Sequence, residues 1–118
     1  MAYNTFSAQF TIPNGAAVSA GVAINGSTPV LLVAPAAWTA ANVQLEGSLD
    51  GVTYFACRDA FGSLIQVSVA AGGAYQIAPS LVHGWDWLRL RSVTAGTLTD
   101  VNQSAERVLT VTTEKLTS

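Results

Sequence analysis

The sequence predicts an all-β protein: a single antiparallel β-sandwich with jelly-roll-like topology and eight or nine short strands. Two observations predict this fold class. Short segments rich in β-branched and aromatic residues recur along the chain, with turn signals about every 8 to 12 residues. No stretch sustains the apolar period of about 3.6 residues that is typical of an amphipathic helix. Because the chain has 118 residues, we expect one domain over residues 1–118.

Four strands are predicted in the first half of the chain. Residues 5–12 (TFSAQFTI) end at a PNG turn, and residues 16–24 (AAVSAGVAI) end at NGSTP. Residues 29–34 (PVLLVA) are continuously apolar, which is typical of a strand covered on both faces. The following PAAWTAAN could form one helical turn or an irregular connection. Residues 42–48 (NVQLEGS) then alternate between apolar and polar side chains, as a half-buried strand does.

The second half of the chain continues the pattern of strands and turns. The predicted strands are residues 52–57 (VTYFAC), 64–70 (LIQVSVA), 75–78 (YQIA), 86–92 (DWLRLRS) and 107–113 (RVLTVTT). The polar stretch VTAGTLTDVNQSAE, between the last two, is predicted to be a long loop.

The stretch EGSLDGVTY places Glu46 and Asp50 on either side of a glycine. Strand alternation puts Glu46 on a polar face, away from the core residue Leu45, while Asp50 and Gly51 form an Asp-Gly hairpin corner. A catalytic carboxylate pair would need both side chains to converge on a substrate. A calcium loop would need more oxygen ligands nearby than Asp59 alone. The interpretation that we favour is a structural turn.

The composition favours a protein that covers much of its surface with partners. Only 10% of the residues are charged, against about 25% in typical soluble domains. The alternative is a small β-protein with a surface of neutral polar residues. With five basic residues and a net charge of −2, the chain lacks the basic cluster that nucleic-acid binding needs. The longest apolar run is too short to cross a membrane, and the N-terminus does not resemble a signal peptide.

The sequence offers no constellation for catalysis. Cys57 and His83 are the sole residues of their types, so neither an internal disulfide nor a Cys/His zinc site can form. Cys57 is interpreted as a small hydrophobic strand residue and His83 as a loop or packing residue. We therefore expect no enzyme activity, no catalytic residue, no cofactor and no metal.

The segment DWLRLRS is the strongest candidate for an interaction surface. Its two leucines share one strand face, and Trp87, Arg89 and Arg91 share the other. Tryptophan and arginine are favoured at contacts between proteins, and they can stack on each other. We therefore nominate these three residues and Trp85 as interface residues. Two alternatives stay open: a sheet face on which Trp87 covers the arginine stems, and a platform on which a sugar ring stacks.

The chain termini are predicted to be extended arms, over residues 1–10 and 114–118. We expect neither segment to have a partner strand of its own, and we expect both to contact neighbouring subunits. The candidate interface residues in these arms are Tyr3, Phe6, Lys115 and Leu116.

Two segments resemble known families. GSLDGVTYF and the later GWDWLRLRS resemble the hairpin and the arginine-rich strand of galactose-binding-like and discoidin-like jelly rolls. A longer pattern resembles small virion proteins of tailed bacteriophages. It comprises IPNGAAVSAGVAINGSTPVLLVAPAAWTAANVQLEGSLDG, WLRLRS and VNQSAERVLTV, within residues 10–113.

The resemblance to virion proteins implies a structural role. Such proteins act in capsid decoration, as head fibres or spike bases, or as tail accessory proteins. It implies contacts with the major capsid protein or other virion proteins, a homo-oligomer, preferably a trimer, and residence in the virion after synthesis in the cytoplasm of the host bacterium. The alternative is a carbohydrate-binding module of a tail or fibre that recognises a host surface.

Overall fold

Two antiparallel β-sheets pack face to face around one apolar core. The computed structural model describes residues 2–117 of the chain. In chain order the strands are β1 (Ala2–Ile12), β2 (Val22–Ala23), β3 (Thr28–Val33), β4 (Ala41–Ser48), β5 (Tyr54–Ala56), β6 (Gln66–Val69), β7 (Ala74–Gln76), β8 (Trp87–Val93) and β9 (Arg107–Thr117).

The sheet order is that of a jelly roll. One sheet, which we call sheet A, has the order β1-β9-β3-β7, and the other, sheet B, has the order β2-β8-β4-β5. The strand β6 also pairs with β4, so β5 and β6 share one edge of β4. Because the chain passes repeatedly from one sheet to the other and all the pairings are antiparallel, the predicted all-β sandwich is confirmed.

The core lies between the two sheets, where alternate residues of the facing strands meet. Sheet A contributes Phe10, Ile12, Leu32, Leu109 and Val111, and sheet B contributes Val43, Leu45, Leu88 and Leu90, all at most 1% exposed. Burying each such side chain stabilises the fold by about 1.5–3 kcal/mol. The alternation of apolar and polar residues in NVQLEGS and DWLRLRS therefore predicts correctly which of their apolar residues face the core.

The predicted strand over residues 16–24 is wrong for most of its length, since only Val22–Ala23 is a strand. The preceding residues cross the edge of β8 with interrupted pairing. Val18 forms an isolated bridge with Arg91, and the Ser19 hydroxyl accepts the Leu90 N–H at 3.0 Å. A side-chain oxygen thus takes a position that a backbone carbonyl would fill in a continuous strand.

Two further predictions are resolved by the structure. The PAAWTAAN stretch is an irregular connection and not a helical turn. Thr39 within it is held by Gln103, which accepts the Thr39 N–H at 2.9 Å and donates to the Thr39 carbonyl at 3.1 Å.

The expectation that residues 29–34 are covered on both faces is wrong. Leu32 is fully buried but Val33 is 37% exposed, because sheet B covers only one side of β3.

The prediction that the terminal segments lack partner strands is also wrong, because they pair with each other. β1 and β9 are antiparallel over eleven rungs, from Ala2 opposite Thr117 to Ile12 opposite Arg107. Residues 1 and 118 lie outside the described residues. We call residues 3–7 of β1 together with residues 112–116 of β9 the terminal ribbon. Residues 3–7 are exposed on both faces of β1, so the β1 half of the ribbon lies outside the two-layer core.

The Asp-Gly corner joins β4 to β5 through side-chain hydrogen bonds. The Ser48 hydroxyl accepts the Gly51 N–H at 2.9 Å, and Asp50 Oδ1 accepts the Val52 and Thr53 N–H groups, each at 2.8 Å. The backbone hydrogen bonds from Thr53 and Val52 lower the pKa of Asp50. Its carboxylate therefore serves the turn, as the sequence indicates.

Gly51 meets two constraints at this corner. Its φ is +79°, and a Cβ added to it would lie 2.8 Å from Cε2 of Trp87. Gly62 has a similar φ of +85° but has nothing within 4 Å of such a Cβ. We expect Gly62→Ala to cost about 1–2 kcal/mol, for the left-handed backbone alone. Gly51→Ala should cost about 1–3 kcal/mol more, because the ring must move.

Urea unfolding of the two variants measures the difference in their free energies of unfolding. Equal losses would show that the Trp87 ring gives way freely and that only the backbone angle requires glycine at residue 51.

Candidate functional site

The outer face of sheet B carries a network of four charged side chains. Glu46 on β4 lies opposite Arg89 on β8. Its carboxylate accepts hydrogen bonds from Arg89 Nε at 2.6 Å and from Arg91 Nε at 3.1 Å. Arg91 Nη1 in turn donates to both oxygens of Asp100, at 3.0 and 3.1 Å. Two arginines and two carboxylates therefore form one chain of ion pairs.

The charges of this network cancel within the chain. Glu46 is only 6% exposed. It lies on the face opposite Leu45, as predicted, but that face is covered because the arginines extend over it. Burial opposes the charge of Arg91, but hydrogen bonding to Asp100 and the charge of Glu46 outweigh burial and raise the pKa of Arg91. Since each arginine already has a carboxylate partner, the network does not offer an unpaired cation to an anionic ligand.

The aromatic partner of Arg89 is Tyr54. The Arg89 guanidinium carbon lies 4.2 Å from the centre of the Tyr54 ring. The hydroxyl end of Tyr54 lies against Gly21, where a Cβ would overlap it. Alternation along the sequence does not reveal this contact, because Tyr54 belongs to β5, which β4 separates from β8.

The two predicted tryptophans lie on opposite faces of sheet B. Trp87 shares the outer face with Arg89 and approaches Gly51. Trp85 packs against the core side, over Gly47, and its ring stacks on Phe55 with centroids 6.3 Å apart. The two nominated tryptophans therefore do not share a face, because Trp85 precedes β8 and does not follow its alternation.

A shallow cavity of about 340 Å³ opens beside the Trp85–Phe55 stack. Leu49, Asp50, Thr53 and Phe55 line it. Exposed apolar side chains and one carboxylate therefore meet next to an aromatic stack.

The other four predicted interface residues lie together in the terminal ribbon. Tyr3 and Leu116 are cross-strand partners and are 65% and 50% exposed. Phe6 points to the opposite face of β1 and is 54% exposed. Lys115 Nζ donates to the Asn25 carbonyl at 3.0 Å. The ribbon therefore presents apolar side chains on both of its faces.

Two cavities flank the ribbon. Phe6 and Ala8 line one of about 340 Å³, and Tyr3 and Leu116 line one of about 430 Å³. Exposed apolar groups of the ribbon thus border both concave surfaces at this end of the molecule.

The sole cysteine and the sole histidine are both engaged in the fold. Cys57 is buried. Burial, followed by the nearby charge of Glu46, raises the pKa of its thiol to about 11, so the nucleophilic thiolate is scarce near neutral pH. His83 Nδ1 lies 2.7 Å from Thr28 Oγ1. Within residues 2–117 there is no group of three or more His, Cys, Asp and Glu side chains that could hold a metal ion.

Comparisons of the chain with protein-family models, with curated proteins and with solved structures give no match. No helix among the described residues is long and apolar enough to cross a bilayer.

The buried position of Glu46 predicts a large effect of its charge on stability. Glu46→Gln removes the carboxylate that contacts both half-buried arginines. We expect it to lower the free energy of unfolding by about 2–4 kcal/mol, since Arg89 then loses its carboxylate partner, whereas Arg91 keeps Asp100. Asp100→Asn is the matched control. Because the Asp100 side chain is 47% exposed, we expect its loss to cost less than about 1 kcal/mol.

Urea unfolding at neutral pH measures both losses. Similar losses for the two variants would mean that water replaces Glu46 as easily as it replaces Asp100.

Proposed function

We propose that this chain is a non-enzymatic structural protein of a tailed-bacteriophage particle, most simply a capsid decoration or head-fibre-type protein. It acts by contacts with the major capsid protein or other virion proteins and with copies of itself. The resemblance of residues 10–113 to small virion proteins supports the assignment to a phage particle. The exposed apolar side chains of the terminal ribbon support a role that depends on contacts with other proteins.

The observation that carries the proposal is the exposure of Tyr3, Phe6 and Leu116 outside the core. At about 200 Å² for each whole side chain, these three leave roughly 340 Å² of surface uncovered. Covering that area at about 25 cal/mol per Å² contributes about 8 kcal/mol, against association costs of about 4–15 kcal/mol. The ribbon therefore suits a protein that docks through several contacts at once, as a subunit on a particle does.

The state of the charged groups supports a role without catalysis. Glu46, Arg89, Arg91 and Asp100 satisfy one another. Asp50 accepts backbone N–H groups of its own turn. A general acid or base needs a titratable group that is free to exchange a proton with a substrate. Each of these groups already has a structural partner.

Mass spectrometry of phage particles purified from the source culture tests the proposal directly. We expect the chain in the particles at a fixed ratio to the major capsid protein. The absence of the chain from purified particles would overturn the proposal.

A variant pair tests the role of the ribbon. Tyr3→Ser combined with Leu116→Ser should weaken retention on particles at least about tenfold, and should change the free energy of unfolding by less than about 1 kcal/mol. Leu98→Ser is the control, because Leu98 is similarly exposed but lies in the loop between β8 and β9. Equal retention of both variants would place the particle contact elsewhere on the chain.

A second candidate function is carbohydrate binding at a host surface. The Trp85–Phe55 stack beside the cavity lined by Leu49 and Thr53 favours it, because aromatic faces stack on sugar rings. A glycan array with the wild type, Phe55→Ala and Trp87→Ala tests it. A carbohydrate site at the stack predicts a wild-type signal that Phe55→Ala abolishes and Trp87→Ala retains. The absence of any wild-type signal would count against the candidate.

A further inference from the structure

β1 forms a long edge of sheet A. Across the part of the chain that the structure describes, only β9 pairs with it. The eleven residues of β1 span about 37 Å at about 3.4 Å per residue. Along this length the backbone groups that point away from β9 lack a strand partner, so β1 can accept a further strand.

This edge lacks the usual protection. Natural edge strands avoid pairing with other chains through charged side chains, proline, bulges or short length. The β1 sequence AYNTFSAQFTI contains neither charge nor proline, and its register with β9 runs without a shift. By contrast, β7 at the other edge of the same sheet has three residues and β2 at the edge of sheet B has two.

We propose that β1 pairs with β1 of a second copy, antiparallel about a two-fold axis, so that two four-stranded sheets become one sheet of eight strands. This inference rests on the proposed assembly function and names its partner. A second copy fits because β1 has no charged side chain, so two copies of β1 do not repel each other across a two-fold axis. The second copy also has the same length and the same alternation of side chains.

Full overlap of the two strands fixes the register. Ser7 then lies opposite Ser7 of the second copy, and Phe6 lies opposite Ala8 of the second copy. The pairing keeps each side chain on its own face, since odd residues meet odd residues and even meet even. The two Phe6 rings become diagonal neighbours across the axis, within the reach of aromatic side chains. Their exposed surface would then be covered.

The size of the contact sets its strength. A strand edge about 37 Å long and about 10 Å thick gives roughly 370 Å² for each copy, below the roughly 800 Å² of a standard interface. We therefore expect a weak dimer in solution that simultaneous contacts on a particle would strengthen. A two-fold contact of this kind yields a dimer, whereas the resemblance to virion proteins implies a trimer.

Sedimentation velocity up to about 100 µM chain tests the pairing, a range that reaches well above a micromolar dissociation constant. We expect the wild type to dimerise. Ser7→Lys and Ser7→Asp should each weaken the dimer at least about tenfold, because like charges meet at the axis. An equimolar mixture of the two variants should restore it, since lysine then faces aspartate.

Thr112→Lys is the matched control. Thr112 lies opposite Ser7 on the inner strand β9, and the two hydroxyls are 3.0 Å apart. Both lysine variants therefore lose the same hydrogen bond and add the same charge to the same face, but only residue 7 lies on the edge strand. We expect Thr112→Lys to dimerise like the wild type.

Three results would overturn the pairing: a wild type that stays monomeric at the highest concentration, a mixture that does not recover the dimer, or a Thr112→Lys variant as weak as Ser7→Lys. The function and the pairing fail separately. Dimers of a chain that is absent from particles would refute the virion role and leave the edge contact intact. A chain that is monomeric but present in particles would refute the edge contact and leave the virion role intact.

Discussion

The pairing of β9 between β1 and β3 is the constraint on which sheet A depends. β9 contacts both neighbours over long registers, with β1 from Ile12 to Ala2 and with β3 from Val33 to Thr28. Without the last strand, the first strand has no partner in the described part of the chain. Leu109 and Val111, which β9 brings into the core, are fully buried. Sheet A therefore becomes complete only when the two ends of the chain have met, which is a non-local and entropically costly step.

Sheet B differs from sheet A because a carboxylate, that of Glu46, is buried on its outer face. Glu46 has lost most of its water and is held by two arginines of the neighbouring strand. Such an arrangement adds little net stability compared with well-packed apolar residues, since desolvation opposes the attraction. It does restrict which residues of β8 can lie beside β4. A shift of one residue would place Leu88 or Leu90 against the carboxylate and expose the core face to the arginines.

The sequence predicted those features that depend on neighbouring residues. Alternation identified Val43, Leu45, Leu88 and Leu90 as core residues, and Asp50 with Gly51 gave the β4–β5 corner. It failed where a partner from a distant strand decides the structure. Three features depend on contacts between residues that are far apart in sequence: the Tyr54–Arg89 contact, the burial of Glu46 and the pairing of the termini with each other. A single sequence does not show which strands become neighbours. Local patterns therefore did not predict that the polar face around Glu46 is buried or that β1 pairs with β9.

The position of the two ends also determines how the molecule responds to force. Ala2 and Thr117 are opposite each other at one end of the β1–β9 pair. A pull applied to both ends would load the terminal rung first and then each following rung in turn. The pair would open like a zipper, with only a few hydrogen bonds resisting at any moment. A pull along the strand axis at opposite ends would instead shear all eleven rungs together and meet much greater resistance. Tension through its termini would therefore peel this protein open from the ribbon inward, while the core of the sandwich remains packed until the opening reaches the Ala8–Val111 rung.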